Sequence, residues 1–443
     1  MRIMTFDVVS VASSLLPDAV KERTYYTYHE KRADLNHDRP TYSLSRRPGA
    51  PDHLLVIVVD ALRPDLVPDL PVQFGHAIAP ATWTFPSVTS IHTGLRPSDH
   101  GAVAHTHPDD EEYAMPAQTE SHPHFPRDLE AAGYDTYAGC AFTTPFLSLR
   151  GWYRTHRYHA DAPAAEVVST YRSWRRNRER TAAYLHLGDL HAPVTPPDEY
   201  VTRRDVDTDL PELEHIHRHK TDFDADDPDH RYYRDNKLRL HRAALDYVSD
   251  QLRPLVEDVR EDTLVVVTGD HGEGLWEHQD LDRLITDSRP NYCFGHGGTP
   301  FDVIARVPLS VSAPHDSPTP RGGWASLRDV PATVLDSCVE DCECPGHSWY
   351  DRIPADRRVI CEAARYGVER KAVYQNRYKV IRSKTDDVAL TAELSNRSET
   401  FGDIPVSVEE RLLDALPDSW DDMDTKSTVS EGTKRRLEAL GYR

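Results

Sequence analysis

The chain has 443 residues, with 52 Lys and Arg against 73 Asp and Glu, a formal net charge of −21 at pH 7 and 38% hydrophobic residues. This length suits one large α/β domain with an appendage, or two domains. The negative charge opposes binding to a phosphate backbone, which excludes nucleic acid as an expected partner. An acidic chain with only nine lysines is also typical of proteins that work at high salt, so we predict a halophilic source.

Two further absences bear on location. The sequence contains no apolar run of about 18 residues, the length a membrane-spanning helix needs. Acidic Asp7 and Asp18 stand where a signal peptide would be apolar. We therefore predict a cytoplasmic protein without a transmembrane segment. The alternative is that the protein acts at the inner face of the membrane.

Three apolar runs, at 53–60, 181–187 and 263–268, predict buried parallel strands, and residues 134–138 form a weaker candidate. Helical stretches at 127–132 and 238–259 lie between them. This alternation predicts an α/β fold with a doubly wound, mostly parallel sheet that helices cover on both faces.

The pattern changes after about residue 350. Short strand-like pieces at 357–367 and 370–383 predict a small antiparallel sheet. We expect an unassigned N-terminal extension at 1–50, a catalytic α/β domain at 51–350 and a small C-terminal α+β subdomain at 351–443, packed on the catalytic domain and ending in a helix.

Carboxylates follow each of the three strong strands. The first run ends in Asp60, the second is followed by Asp189 and His191, and the third by Asp270 and His271. Because the carboxyl ends of parallel strands meet at one edge of a sheet, these side chains are expected to converge there. Carboxylates and imidazoles that converge in this way predict a divalent cation site.

The segment 80–101 adds a hydroxyl. Thr84-Phe85-Pro86-Ser87 is typical of a turn that enters a short helix, with Pro86 near its first position and Gly94 at its end. Thr84 would then lie at or just before a helix N-terminus, where backbone N–H groups favour an anion. The alternative is that Thr84 is a plain helix cap.

Five ordered blocks together resemble the sulfatase family of the alkaline phosphatase superfamily, over about residues 53–443. They are VVDALRP at 58–64, TFPSVTSIHTGLRPSDHG at 84–101, HLGDLHAPVTPP at 186–197, GDHGEGLWEH at 269–278 and FGHGGTPFDVIARVPLSV at 294–311. The closing segment 428–443 is similar to the last helix of that family.

The resemblance implies the roles of particular residues. Asp60, Asp270 and His271 would bind a divalent metal that also touches the nucleophile, and the nucleophile falls on Thr84. His191 and His296 match family histidines that contact the transferred group or protonate the leaving oxygen, and Asp189 lies beside the first of them.

Four departures from the family pattern limit what is carried over. Typical sulfatases oxidise a Cys or Ser to formylglycine, which Thr84 cannot become. The Arg four residues later is Val88, the second Asp after the first strand is Ala61, and the block with the family's active-site Lys reads Gly-Cys-Ala-Phe at 139–142. A Thr nucleophile instead resembles lipoteichoic acid synthases, phosphoethanolamine transferases and nucleotide pyrophosphatases, which proceed through a phospho-threonine.

We therefore expect a metal-dependent enzyme that acts on a small-molecule or glycan sulfate or phosphate ester. A covalent Thr84 intermediate would transfer the group to water or to a sugar hydroxyl. The alternatives are a phosphodiesterase or phosphotransferase of the same superfamily, and a non-catalytic relative that binds anionic sugars.

Ligand hardness favours one divalent ion, Mn, Mg or Ca, with zinc as a further candidate. Asp189, His191 and His296 could instead assemble a second site. The cluster Cys338, Cys342 and Cys344 lacks the spacing of a zinc knuckle and is expected to be ordinary loop thiols. The acceptor and the oligomeric state stay open.

Overall fold

The computed structural model describes residues 18–104, 115–116, 122–216, 218–288, 292–341, 343–362, 365–395, 398–418, 420 and 426–427. Most of the chain between residues 50 and 416 therefore has a described fold. The expected C-terminal helix at 428–443 lies outside these residues.

The described strands, in chain order, form two larger sheets and two short ribbons. They are β1 (His53–Val59), β2 (Gly75–Ile78), β3 (Met115–Pro116), β4 (Asp135–Cys140), β5 (Thr155–Tyr158), β6 (Thr181–Leu187), β7 (Thr263–Thr268), β8 (Gly274–Leu275), β9 (Phe294–Gly295), β10 (Arg306–Ser312), β11 (Val359–Cys361), β12 (Arg370–Gln375), β13 (Tyr378–Ser383), β14 (Val388–Leu394), β15 (Glu399–Phe401) and β16 (Lys426–Ser427).

The described helices are α1 (Asp18–Leu35), α2 (Thr84–Thr93), α3 (Pro97–His100), α4 (Phe125–Ala131), α5 (Thr143–Leu149), α6 (Ala164–Arg175), α7 (Asp198–Arg203), α8 (Pro228–Val259), α9 (Gln279–Asp282), α10 (Asp302–Ala305), α11 (Val330–Cys338) and α12 (Val406–Leu413), with a 3-10 turn at Leu327–Asp329. None of the described helices combines the length and the apolar character that crossing a membrane requires.

The main sheet has seven strands in the order β2-β10-β7-β1-β6-β4-β5. Strands β7, β1, β6, β4 and β5 run parallel, whereas β10 is antiparallel to both of its neighbours. The expectation of a mostly parallel sheet is confirmed, and the strong strand predictions agree with β1, β6 and β7.

Both faces of this sheet are buried. Leu55, Ile57 and Val59 of β1 pack into one hydrophobic cluster, which α6 and α8 cover. Leu54, Val56 and Val58 pack into a second cluster with residues of α2, α4, α5 and α11. Alternate residues of one strand therefore face two different cores, as a doubly wound sheet requires.

The second sheet is antiparallel and follows the order β11-β12-β13-β14-β15. The expected small C-terminal sheet is thus confirmed, while the division of the chain at residues 50 and 350 stays a prediction. Helix α8 begins ten residues before the predicted start at 238. Asp227 explains the early start, because its carboxylate accepts hydrogen bonds from the backbone N–H groups of Asp229 and His230, and Pro228 follows it.

Candidate active site

The register of the three central strands brings two carboxylates together. Val58 of β1 pairs with His186 of β6 and with Thr268 of β7. Side chains two residues apart on a strand share a face, so the register directs Asp60 and Asp270, which follow Val58 and Thr268 by two residues, to that same side. Both carboxyl groups are fully buried.

Thr84 is the first residue of α2 and is fully buried. The residue before it, Trp83, takes the cap position without a side-chain hydrogen bond. The Thr84 hydroxyl lies 3.1 Å from Asp60 Oδ2, to which it donates, and 3.2 Å from His271 Nε2. The structure therefore places the predicted nucleophile against two of the predicted metal ligands. Pro86 is the third helical residue, two positions later than its expected place.

Helix α2 is hydrogen-bonded to the segment that follows β7, and it ends at a glycine. The Ser87 hydroxyl donates to the carbonyl oxygen of Asp270 at 2.6 Å. Gly94 follows the helix with φ 71°, the left-handed conformation that favours glycine, and its N–H bonds back to Ser90. The hydrogen bond from Ser87 therefore holds the nucleophile helix against the segment that carries Asp270 and His271.

His271 presents one particular nitrogen to the site. Its Nδ1 bonds to the carbonyl oxygen of Gly272 at 2.9 Å, so Nε2 faces the centre. Nε2 lies 3.6 Å from Asp270 Oδ2 and 3.8 Å from Asp60 Oδ1. A backbone partner on the other ring nitrogen is the usual way in which proteins orient a metal-binding histidine.

The charges of these groups are strongly coupled. Burial opposes ionisation of Asp60, but His271 and then His186 hold the pKa of Asp60 well below its usual value. Burial and the Asp60 charge raise the pKa of Asp270. Burial works to lower the pKa of His271, but the two carboxylates outweigh it and raise that pKa. The shifts show that the two buried carboxyl groups lie so close together that the charge of Asp60 disfavours ionisation of Asp270.

These residues fit a divalent cation. The buried atoms Asp60 Oδ1 and Asp270 Oδ2 have no hydrogen-bond partner within the described structure. A buried carboxylate oxygen left in this way is costly unless a cation or a donor satisfies it. Together with His271 Nε2 and the Thr84 hydroxyl, they offer the oxygen and nitrogen donors that divalent ions bind in proteins.

His186 also belongs to the site and was not predicted from the sequence. It is fully buried, and its Nε2 lies 2.9 Å from Asp60 Oδ2 and 3.8 Å from Asp270 Oδ2. Its Nδ1 lies 2.6 Å from the hydroxyl of Tyr184. Asp60, His186 and Asp270 each offer a ligand atom within 4.8 Å of the others.

Two further predicted histidines lie beside this centre. The His296 ring centroid is 4.3 Å from that of His271 and 5.1 Å from that of His191. The loop that carries His296 is held next to α2, because the N–H of Gly297 donates to the Thr82 carbonyl oxygen at 2.7 Å. The structure thus brings both candidate acids to the site of the nucleophile.

Glu273 orients His296 and was also missed by the sequence analysis. Its Oε2 lies 2.7 Å from His296 Nδ1, and both side chains are largely buried. Burial works to raise the pKa of Glu273, but His296 outweighs it and lowers that pKa to about 2. Glu273 is therefore a carboxylate at neutral pH, and it fixes the orientation of the His296 ring through Nδ1.

Asp189 lies at the edge of the site rather than at its centre. Its Oδ1 accepts a hydrogen bond from the N–H of Ala164, the first residue of α6. Burial raises the pKa of Asp189 to about 6. It borders a cavity of about 340 Å³, whose lining includes Phe142, His191 and Tyr247. A second metal ion held by Asp189, His191 and His296 stays a prediction.

Another group of potential ligands lies away from the sheet edge, at His219, Asp222 and His230. The side chain of Arg218 donates to His219 Nε2 at 3.0 Å, and the N–H of Asp224 donates to His230 Nδ1 at 2.9 Å. A neutral imidazole has one acceptor nitrogen, and on both of these rings it already accepts a hydrogen bond. This group is therefore less suited to bind a metal than the centre around Asp60. Of the cysteine cluster, Cys338 is buried at the end of α11, Cys344 is partly exposed, and Cys342 lies outside the described residues.

Comparison with known proteins gives a family and a fold. A family model described as sulfatase matches residues 71–337. The structure is similar to a 2-O GAG sulfatase, with a TM-score of 0.57 and 16% identity over 82% of this chain and 91% of that chain. It is also similar to a phosphonate monoester hydrolase from Silicibacter pomeroyi, with a TM-score of 0.56 and 15% identity over 82% of this chain and 93% of that chain.

A third similar structure is a protein in complex with its substrate D-glucosamine-2-N,6-O-disulfate. The TM-score is 0.55, with 12% identity over 88% of this chain and 97% of that chain. At these identities the likeness establishes the fold alone. No curated protein matches the sequence.

Proposed function

The chain belongs to the sulfatase family, and from this we propose that it transfers a sulfuryl or phosphoryl group from an ester through a covalent intermediate on Thr84. The acceptor is water or a sugar hydroxyl, so the enzyme is a hydrolase or a transferase. The observation that carries the proposal is the position of the Thr84 hydroxyl, between Asp60 Oδ2 at 3.1 Å and His271 Nε2 at 3.2 Å.

A formylglycine route is closed to this chain. Formylglycine forms from Cys or Ser, and the residue at that place is Thr84. Thr84 keeps a hydroxyl at the N-terminus of α2. An alcohol is a weak nucleophile until a neighbour activates it, and the site supplies the Asp60 carboxylate and the His271 imidazole as partners. A divalent cation bound here would lower the pKa of the hydroxyl and neutralise charge on the ester.

The proposed reaction has two halves. First, the Thr84 hydroxyl passes its proton to one of these two partners, Asp60 or His271, and its oxygen bonds to sulfur or phosphorus. The bond to the ester oxygen breaks, and that oxygen takes a proton. In the second half, water or an acceptor hydroxyl attacks the same atom, the bond to the Thr84 oxygen breaks, and Thr84 takes back its proton from the partner that held it. His296 or His191 gives the proton in the first half, because both rings lie beside the centre and an imidazole can carry and release a proton. The same ring takes the proton from the incoming hydroxyl in the second.

The charges around Thr84 favour an ester whose transferred group carries a single negative charge. The Arg and Lys of the family pattern are replaced by Val88 and by the Gly-Cys-Ala-Phe segment at 139–142. The carboxylates of Asp60, Asp270 and Glu273 carry three negative charges when all are ionised, and one dication offsets only two of them. A sulfate monoester or a phosphodiester carries one charge on the transferred group, whereas a phosphate monoester carries two. We therefore place the first two classes ahead of the third.

A sugar is the proposed carrier of the ester. One similar structure was determined with a disulfated glucosamine as its substrate, and another with a carrageenan-type hexaose. Next to His191, the cavity of about 340 Å³ offers Phe142 and Tyr247, aromatic surfaces of the kind that pack against sugar rings, and the carboxylate of Asp189. Phosphodiester chemistry is the second candidate, because the superfamily members with an unmodified Thr nucleophile form a phospho-threonine.

Parallel assays separate these candidates. We expect metal-loaded protein to turn over 4-nitrophenyl sulfate or bis(4-nitrophenyl) phosphate faster than 4-nitrophenyl phosphate, and Thr84→Ala to abolish the activity. Thr89→Ala is the matched control, because Thr89 lies on the same helix and its buried hydroxyl contacts only Phe85 O and Ser148 Oγ among the described groups. Full turnover by Thr84→Ala would refute the nucleophile, and binding of sulfated sugars without turnover would favour a non-catalytic relative.

A further inference from the structure

We infer that His186 is a ligand of the metal ion at this site and replaces the carboxylate that the family pattern places at position 61, where this chain has Ala61. The inference builds on the proposed function because it concerns the same centre. It is tested by metal binding alone, so the result does not depend on whether the protein turns over an ester.

The backbone register puts His186 in reach of the site. His186 is the partner of Val58 in the parallel pairing of β1 with β6, and Val58 is also the partner of Thr268 in β7. Asp60 and Asp270 follow these paired residues by two positions, just beyond the strand ends, and their carboxylates approach the His186 imidazole. Three neighbouring strands therefore each direct one potential ligand to one point.

The distances agree with ligands of one ion. His186 Nε2 lies 2.9 Å from Asp60 Oδ2 and 3.8 Å from Asp270 Oδ2. Donors that bind a small divalent ion at about 2.1 Å lie roughly 3 Å from their neighbours around it. All three side chains are fully buried, and each carboxylate has one oxygen without a hydrogen-bond partner in the described structure.

Tyr184 allows the imidazole to change roles. Without a cation, His186 Nε2–H donates to Asp60 and the Tyr184 hydroxyl donates to Nδ1. With a cation on Nε2, the ring proton sits on Nδ1 and is donated to the Tyr184 oxygen. A hydroxyl serves as donor or acceptor, so the contact of 2.6 Å is preserved in both states. Partners of this kind orient metal-binding histidines in proteins.

A second imidazole changes the metal that the site selects. The sequence alone indicated oxygen donors with one histidine, a set that suits Mn, Mg or Ca. Two imidazoles, His186 and His271, with the Asp60 and Asp270 carboxylates favour a transition ion, zinc above all, over calcium and magnesium. The loss of a carboxylate at Ala61 and the gain of an imidazole at His186 together account for such a shift.

The competing explanation is that His186 only holds Asp60 by a permanent hydrogen bond. In that case a glutamine amide, which also donates a hydrogen bond, would serve nearly as well, and the ion would have a single imidazole ligand. The two explanations thus differ in the number of imidazoles bound to the metal.

Zinc K-edge X-ray absorption counts these imidazoles directly. In the full chain loaded with one equivalent of zinc, we expect two imidazoles, and one in His186→Gln. Zinc affinity should fall by more than about 100-fold in His186→Gln, beyond the usual cost of losing an orienting partner. His186→Asp should recover calcium binding relative to His186→Gln.

The control is His92→Gln. His92 is another fully buried histidine with a Tyr hydroxyl partner, Tyr153, but its Nδ1 bonds to the Val88 carbonyl oxygen within α2. We expect this variant to keep two imidazoles and the full zinc affinity. A single imidazole in the unaltered protein would overturn the inference, even if His186→Gln fails to fold.

Discussion

Oε2 of Glu273 lies 2.7 Å from Nδ1 of His296, so the carboxylate fixes which ring nitrogen faces the reacting groups. We expect Glu273→Gln to slow the release of a poor leaving group, such as an alkyl alcohol, by about 10-fold to 100-fold, less than loss of the acid itself. Esters of 4-nitrophenol need no proton and should lose far less. The measurement is kcat/KM for an alkyl ester and a nitrophenyl ester of the same acid.

Ser87→Ala is a useful contrast, because it removes a hydrogen bond to the Asp270 backbone without touching His296. It should affect both esters alike. If Glu273→Gln also slowed both esters equally, Glu273 would be acting on the fold of the site and not on the acid.

The pH dependence should report a histidine that is hard to protonate. Burial lowers the pKa of His296 below its usual value of about 6.5, with Glu273 opposing the shift, and burial also lowers the pKa of His191. A general acid must carry its proton, so alkyl ester turnover should rise as pH falls from neutrality towards that pKa. The ratio of alkyl to nitrophenyl kcat/KM isolates this effect. A ratio that stays constant below neutral pH would contradict the assignment of an imidazole acid.

Acid should destabilise the fold through buried neutral histidines outside the active site. Burial lowers the pKa of His92, His100 and His124 to about 3 in the folded protein. Between about pH 6.5 and about pH 3 the unfolded chain therefore binds protons that the native protein excludes. The free energy of unfolding is therefore unaffected by these histidines above about pH 6.5. Below that pH it falls by about 1.4 kcal/mol per pH unit for each histidine.

Urea unfolding measured at about pH 7 and about pH 5 tests this expectation. His92→Gln removes one of the three groups, so the loss of unfolding free energy between the two pH values should be smaller by about 2 kcal/mol. An unchanged slope in this variant would mean that His92 is protonated in the folded protein.

Much of the fold was accessible from the sequence. The apolar runs that became β1, β6 and β7 are continuous because both faces of the sheet are buried. Strand β10 was not predicted, because polar residues interrupt its apolar run and it directly follows a short helix. Helix α1 (Asp18–Leu35) was left unassigned, and its sequence has no clear apolar face to indicate it.

The candidate site was accessible only in part. Asp60, Asp270 and His271 follow strands, and that position alone indicated where they meet. His186 lies inside β6 and was interpreted as a buried strand residue, because its approach to Asp60 depends on a register between segments more than 120 residues apart. Glu273 stood in a quoted motif, but its role depends on a contact with His296 that spacing does not reveal.

The central claim is that Thr84 carries the transferred group, and trapping that adduct tests it most directly. Metal-loaded protein should be mixed with a nitrophenyl ester, quenched in acid during turnover, digested and examined by mass spectrometry. We expect the peptide that contains Thr84 to gain the mass of one sulfuryl or phosphoryl group, and the gain to be absent in Thr84→Ala. An active enzyme whose peptide stays unmodified at every quench time, or a label on another residue, would contradict the account.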